Sequence, residues 1–193
     1  MMKKNIFPLQ PDRMYHIYNR GINGGPLFFD HENYLYFLKL IKLKIRPIAQ
    51  IYSYCLLKNH FHLLVKINSE LTIRTLFSEK DQTGIETIIS QQFSNTFNSY
   101  SQAVNKRYAR TGKLFELPFR RKDVDSSDHL VRTILYINKN PVKHGITEDC
   151  LAYPYSSARE IINNEDDFLE SCDIMNLFSD VDGFKDALLN YDV

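Results

Sequence analysis

Two histidines flank one bulky apolar residue, His60-Phe61-His62, at the end of a β-rich run. Side chains of a strand alternate faces, so His60 and His62 project to one side while Phe61 enters the core on the other. That arrangement presents two imidazoles to a single metal ion. On a half-buried strand the same pattern also serves as ordinary hydrogen-bonded surface or core residues. A second set of residues adds weight: Arg132-Thr-Ile-Leu-Tyr136-Ile-Asn138-Lys-Asn140-Pro141 reads as the end of a helix stopped by its proline. Tyr136 and Asn140 are i and i+4. They share one helical face about 6 Å apart along the axis, given a rise of roughly 1.5 Å per residue.

The elements that must position these groups are legible from hydrophobic period. Residues 13–19 read as a strand, and 31–46 as an amphipathic helix with Tyr34, Phe37, Leu38 and Ile41 on one face and Asp30 as its N-cap. Residues 48–57 and 60–67 form a hairpin, followed by a short helix from about residue 71 and a polar loop over 78–84. Ile89, Phe93, Phe97 and Tyr100 define a long helix over 86–109. Residues 114–124 return as a strand, 127–140 form the helix bearing Tyr136, and short helices are expected over 173–178 and 183–189. This order predicts an α+β fold, an antiparallel sheet with helices packed on it.

Composition sets the limits within which those elements work. Three cysteines, Cys55, Cys150 and Cys172, form no C-x-x-C pair and are odd in number, so free thiols in a reducing compartment are expected. The first residues lack an apolar signal core, and nowhere do about 18 uncharged apolar residues run together, so neither secretion nor a membrane span is expected. The net charge of +1 conceals a division: residues 1–148 hold 22 Lys/Arg against 12 Asp/Glu, and residues 149–193 hold 2 against 11. We divide the chain there, into a domain over 1–148 and an acidic extension over 149–193. A basic body suits a phosphate backbone, whose neutralisation releases condensed counterions. The cations cluster beside glycine and aromatics: Lys106, Arg107, Arg110 and Lys113, then Arg120, Arg121 and Lys122, with Arg20 and Lys143 elsewhere. Interleaved Tyr108, Phe115 and Phe119 offer rings for unpaired bases, although core packing is the commoner role for either phenylalanine. The acidic extension either folds over the basic surface and screens it, or completes the core.

The chain resembles the REP-associated tyrosine transposases of the HUH single-strand DNA transposase superfamily. The resemblance rests on motifs in order: Tyr15-His16-Ile17-Tyr18-Asn19-Arg20-Gly21, the hairpin from Tyr54-Cys55-Leu56 to Leu63-Leu64-Val65, Asn105-Lys106-Arg107-Tyr108 with Gly112-Lys113-Leu114-Phe115, and Tyr136-Ile137 with Asn140-Pro141-Val142. It covers about residues 13 to 157 and includes Tyr155-Ser156-Ser157, where the family more commonly has tryptophan before the serines. Asn138 stands where relatives commonly carry histidine, and Leu57-Lys58 where Met-Pro is usual.

The resemblance implies a ferredoxin-like or RRM-like sheet and a bacterial, cytoplasmic protein held at the nucleoid by DNA. It implies His60, His62 and Asn140 as ligands of Mg²⁺ or Mn²⁺, with Tyr136 as nucleophile. Among 12 tyrosines, Tyr136 stands out only through its spacing to Asn140 and this motif match. Two neutral imidazoles and an amide leave a divalent ion its full charge, able to polarise a phosphate oxygen. Attack by Tyr136 would cleave single-stranded DNA at a hairpin sequence and leave a 5′-phosphotyrosine. His16 and His144 stand nearby in the motifs, as core support or as a phosphate contact. Some relatives are dimers that share sites; the REP-associated branch is more often monomeric, so a monomer is favoured. Two other readings stay open: a catalytically idle single-stranded nucleic-acid-binding module, and a relaxase or replication-initiator nickase.

Overall fold

The computed structural model describes residues 7–77, 83–163 and 168–192. The loop expected over 78–84 lies, as far as residue 82, outside the described residues. Strand β1 spans Met14–Arg20, β2 Ala49–Leu57, β3 His60–Ile67 and β4 Arg120–Val124. They form an antiparallel sheet in the order β2-β3-β1-β4. The fold is α+β, as the sequence predicts.

Period-two alternation gives this sheet two different faces. Tyr15, Ile17, Phe61, Leu63 and Val65 are buried on one side. There the Phe61 ring meets Phe37 at 5.0 Å and Phe97 at 5.2 Å between centroids. Phe37 belongs to α1 (His31–Leu40) and Phe97 to α3 (Ile85–Arg107), so these two helices roof that face. Full burial of a side chain this size is worth roughly 1.5–3 kcal/mol. Asp30 caps α1 as expected, accepting from the Asn33 amide at 3.0 Å. After Leu40 the helix continues to Ile45 with a wider π-type turn.

The chain leaves α3 and reaches β4 later than the periodicity suggests, which corrects the strand expected over 114–124. Phe115 only bridges Gly21, and Glu116 donates its amide to the Arg20 carbonyl at 2.9 Å. Pro118 has no N–H to contribute, so ladder pairing resumes at Arg120. A short helix, α2, spans Glu70–Leu76.

The helix carrying Tyr136, α4, spans Ser127–Lys143. Pro141 therefore does not stop it. In the last turn proline forfeits a single hydrogen bond, and the helix ends instead where His144 donates to the Asn140 carbonyl at 3.0 Å and Gly145 takes a φ of +64°. This helix lies on the second face of the sheet, over β2. Asn138 Nδ2 donates to Ser53 Oγ at 3.0 Å, and Ser157 Oγ donates to Asn138 Oδ1 at 2.9 Å.

The C-terminal segment closes the outer edge of β2. Leu56 donates to the Tyr155 carbonyl, Ser157 to that of Tyr54 and Glu170 to that of Ile51, each at 2.9 Å. An edge strand covered in this way offers no free ladder to another chain. Helices α5 (Ala158–Asn163), α6 (Ser171–Phe178) and α7 (Val181–Leu189) follow. They bury Ile161, Ile174, Phe184 and Leu188 completely. The acids of this segment have local work: Asp173 accepts from Tyr52 at 2.8 Å, Glu170 pairs with Arg46 at 2.8 Å, and Asp180 caps α7. Cys55, Cys150 and Cys172 are all free thiols. Among the described residues no helix is long and apolar enough to cross a membrane.

Candidate active site

Strand register lines up a set of rows on the half-covered face. Cys55, His62, Tyr18 and Arg120 lie opposite one another across the four strands; Leu57, His60 and Arg20 form the next row; Ser53, Leu64, His16 and Lys122 flank on the other side. Helix α4 covers the β2 end of these rows. The β1–β4 end stays open, with Tyr18 half-buried and Arg120 and Lys122 exposed. A cleft of about 320 Å³ follows, lined by Tyr18, Arg20, His60, His62, Arg120 and His144 among others.

Local structure orients His60. Gly21 has no room for a side chain, since a Cβ there would lie 1.9 Å from the Gly25 carbonyl oxygen. The turn therefore folds tightly, and Gly21 donates its amide to the Asn59 carbonyl at 2.8 Å. The Asn59 carboxamide donates from Nδ2 to the Gly24 carbonyl at 3.3 Å, which turns its Oδ1 toward His60 Nδ1, 2.8 Å away. His60 thus donates from Nδ1, and its Nε2 keeps a lone pair.

His62 is more deeply placed. Its Nδ1 lies 2.8 Å from His16 Nε2, and its own Nε2 is buried without a hydrogen-bond partner among the described residues. Burial pushes the His60 and His16 imidazoles down to about 4, and His62 well below its ordinary value. Neighbouring groups act in the same direction, His144 and Arg20 on His60 and Lys122 on His16. All three rings are neutral at neutral pH, the state in which imidazole donates to metals.

Tyr136 reaches the histidines from α4, and Asn140 stands one turn further along that helix. The Tyr136 ring stands edge-on to His62 at 5.8 Å and to His16 at 6.1 Å between centroids. Lys143 Nζ lies 4.7 Å from the Tyr136 ring centre. Burial raises the Tyr136 phenol above its ordinary value, opposed by the Asn140 amide, so the resting side chain is protonated. Asn140 donates from Nδ2 to the Tyr136 carbonyl at 2.7 Å, while its Oδ1 is buried without a partner among the described residues. Two buried polar atoms without partners, one on β3 and one on α4, are costly unless something meets them. Among the described residues no group of three or more His, Cys, Asp or Glu is arranged to hold a metal ion.

The candidate cations divide. Arg20, Arg120, Lys122 and Lys143 surround the histidines, with Arg20 and Arg120 both paired to Glu116, at 2.5 and 3.4 Å. Arg121, one residue out of phase, projects to the opposite face, over the Phe119 ring at 4.2 Å and against Ser90 Oγ at 3.2 Å. Lys106, Arg107, Arg110 and Lys113 are not brought into the cleft. Arg107 pairs with Asp30 at 2.7 Å, Arg110 lies 5.7 Å from the Phe29 ring centre, and Lys113 borders a separate groove along α3. Phe115 and Phe119 are buried, and Tyr108 donates its hydroxyl to Asp30 at 2.7 Å, so none of the three presents a free ring. Tyr18 lines the cleft half-buried, its ring 5.0 Å from that of His16 and 6.0 Å from that of His62 between centroids, and its place between His16 and Arg20 on β1 is the signal for it in the sequence. Asn138 is wholly buried in its bonds to Ser53, Ser157 and the Ile134 carbonyl, where it fastens α4 and has no route to a proton.

Comparison with solved structures identifies the architecture. The structure of a REP-associated tyrosine transposase bound to a REP hairpin aligns with a TM-score of 0.62 at 16% identity, over 84% of this chain and 86% of that one. The chain has the α+β, HUH-type fold of that protein. A bacterial tRNA(His) guanylyltransferase (Thg1)-like protein aligns more loosely, with TM-scores of 0.43 in its GTP complex and 0.45 in its ATP complex, at 13% and 12% identity. Those alignments cover 71% and 88% of this chain and 68% and 70% of the other. No protein-family model matches the chain, and no curated protein does.

Proposed function

We propose that the protein cleaves and rejoins single-stranded DNA at hairpin sequences, with Tyr136 as nucleophile and His60, His62 and Asn140 as ligands of a divalent ion such as Mg²⁺ or Mn²⁺. The observation that carries this reading is the Tyr136 ring standing edge-on to His62, whose buried Nε2 has no partner among the described residues, with Asn140 one turn further along α4 and its buried Oδ1 likewise without a partner. The chemistry such an ion supplies when bound is Lewis-acid polarisation of a phosphate oxygen. The likeness in fold to a transposase seen with a REP hairpin supports the choice of substrate.

The residues themselves do the rest. Arg20, Arg120 and Lys122 attract the phosphate backbone to the open half of the face, and the half-buried Tyr18 ring offers a surface for a base. Tyr136 Oη attacks phosphorus; the Oη–P bond forms, the P–O3′ bond breaks, and one proton passes in net from the phenol to the departing 3′ oxygen. The result is a 5′-phosphotyrosine. Because one ester replaces another, reversal on a second 3′ end needs no nucleotide cofactor. Lys143, over the Tyr136 ring, stabilises negative charge as it develops on the phenol. Since Tyr136 and His62 meet within one chain, a monomer carries the whole set.

The test is incubation with single-stranded DNA from the flanks of the protein's own gene, followed by denaturing electrophoresis. A covalent protein–DNA adduct is expected, absent from Tyr136→Phe although that variant still binds the DNA. Cleavage by Tyr136→Phe at the normal rate would remove Tyr136 as nucleophile; binding without any adduct would leave a nucleic-acid-binding module.

A further inference from the structure

We infer that His16 is a positioning residue that accepts the Nδ1 proton of His62 and so holds the His62 Nε2 lone pair toward the cleft. The inference rests on the metal reading proposed above, and it concerns a residue to which that scheme gives no role.

The two rings share one hydrogen across 2.8 Å, between His16 Nε2 and His62 Nδ1. Only two arrangements are possible. If His16 donates, His62 carries its own proton on Nε2, a buried N–H with no acceptor among the described residues. A buried N–H left without an acceptor is rare in native proteins. If His62 donates instead, its Nε2 carries a lone pair, which a cation entering the cleft can satisfy. The second arrangement is the one in which the unpartnered atom has a use.

The position of His16 is a product of the sheet. It sits on β1 one row from His62, buried, with its own centroid 5.0 Å from that of His62. His60 obtains the same service from its neighbour Asn59. Each of the two histidines therefore has one nitrogen engaged and the other directed outward, as metal-bound histidines generally do.

Three readouts on the full-length protein test this. In the metal-free wild type, ¹⁵N correlation spectra should show His62 as the Nδ1–H tautomer. Mn²⁺ titration should then find His16→Leu, which keeps bulk and removes the acceptor, weakened roughly 10- to 100-fold. His16→Gln, whose carboxamide oxygen reaches the same point, should stay within about threefold of wild type by the same scale. An Nε2–H tautomer of His62 in the wild type would overturn the proposal, as would equal Mn²⁺ affinity in His16→Leu, or equal loss in both variants. Should His16→Leu fail to fold, the wild-type tautomer and His16→Gln decide. A wild type that shows the Nδ1–H tautomer but binds no Mn²⁺ would sink the metal reading and leave the tautomer assignment standing.

Discussion

Asn138 and Ser53 join α4 to β2 through a buried 3.0 Å hydrogen bond, and this bond sets the height of Tyr136 above the histidine face. Ser157 completes the arrangement, lying 2.9 Å from Ser53 Oγ and accepting from the Tyr54 amide at 3.0 Å. Asn138→Ala leaves Ser53 and Ser157 with an unmet bond in a dry interior, which costs about 1–3 kcal/mol. Chemical denaturation should show that loss. Adduct formation should fall further than stability explains, because a helix free to shift misplaces the phenol; an unchanged cleavage rate would separate this network from the chemistry.

Removal of a histidine donor should be harsher than removal of an ordinary surface group. His60→Ala and His62→Ala are expected to lose adduct formation, and excess Mg²⁺ or Mn²⁺ should not restore it, since affinity and geometry go together. Chelator should silence the wild type reversibly. Full activity in chelator would eliminate the metal mechanism.

Strand alternation makes adjacent arginines unequal. Arg120→Ala and Lys122→Ala should each weaken binding of single-stranded DNA irrespective of sequence, and lower the slope of log K against log salt by roughly 0.7 per lost phosphate contact. Arg121→Ala should leave that slope unchanged. Arg121 is half-buried against Phe119 and Ser90, so its loss should appear as a lower melting temperature. A salt slope that responds equally to all three would place the DNA elsewhere.

The acidic extension is expected to matter for stability more than for DNA affinity. Phe184 is fully buried within it, and Phe184→Ala should cost about 3–5 kcal/mol. A chain ending at Ser157 would lose the Glu170 bond to Ile51 and the buried Ile161, Ile174, Phe184 and Leu188, and should aggregate or melt early by circular dichroism. Tighter DNA binding by a truncated chain of native stability, most visible at low salt, would instead show that the extension screens the basic face. Glu170, Asp173 and Asp180 favour the structural outcome, being engaged with Arg46, Tyr52 and the start of α7. Glu165, Asp166 and Asp167 lie outside the described residues.

What the sequence determines by itself is local. A period of two puts His60 and His62 on one side and Phe61 on the other; a period of 3.6 puts Tyr136 and Asn140 on one helical face; both hold in the structure because they depend only on residues within four positions. The same rule carries an error where it is applied across Pro118 and Pro141, since proline's effect depends on whether its missing N–H was needed. A ladder at Pro118 needs it. The last turn of α4 does not. The approach of Tyr136 to His62, the bond from His16 to His62 and the covering of β2 by Tyr155, Ser157 and Glu170 were decided only by tertiary structure. Each depends on strand register or helix docking between segments far apart in the chain, and register is selected by which whole face gets buried, a choice that no single stretch of sequence contains.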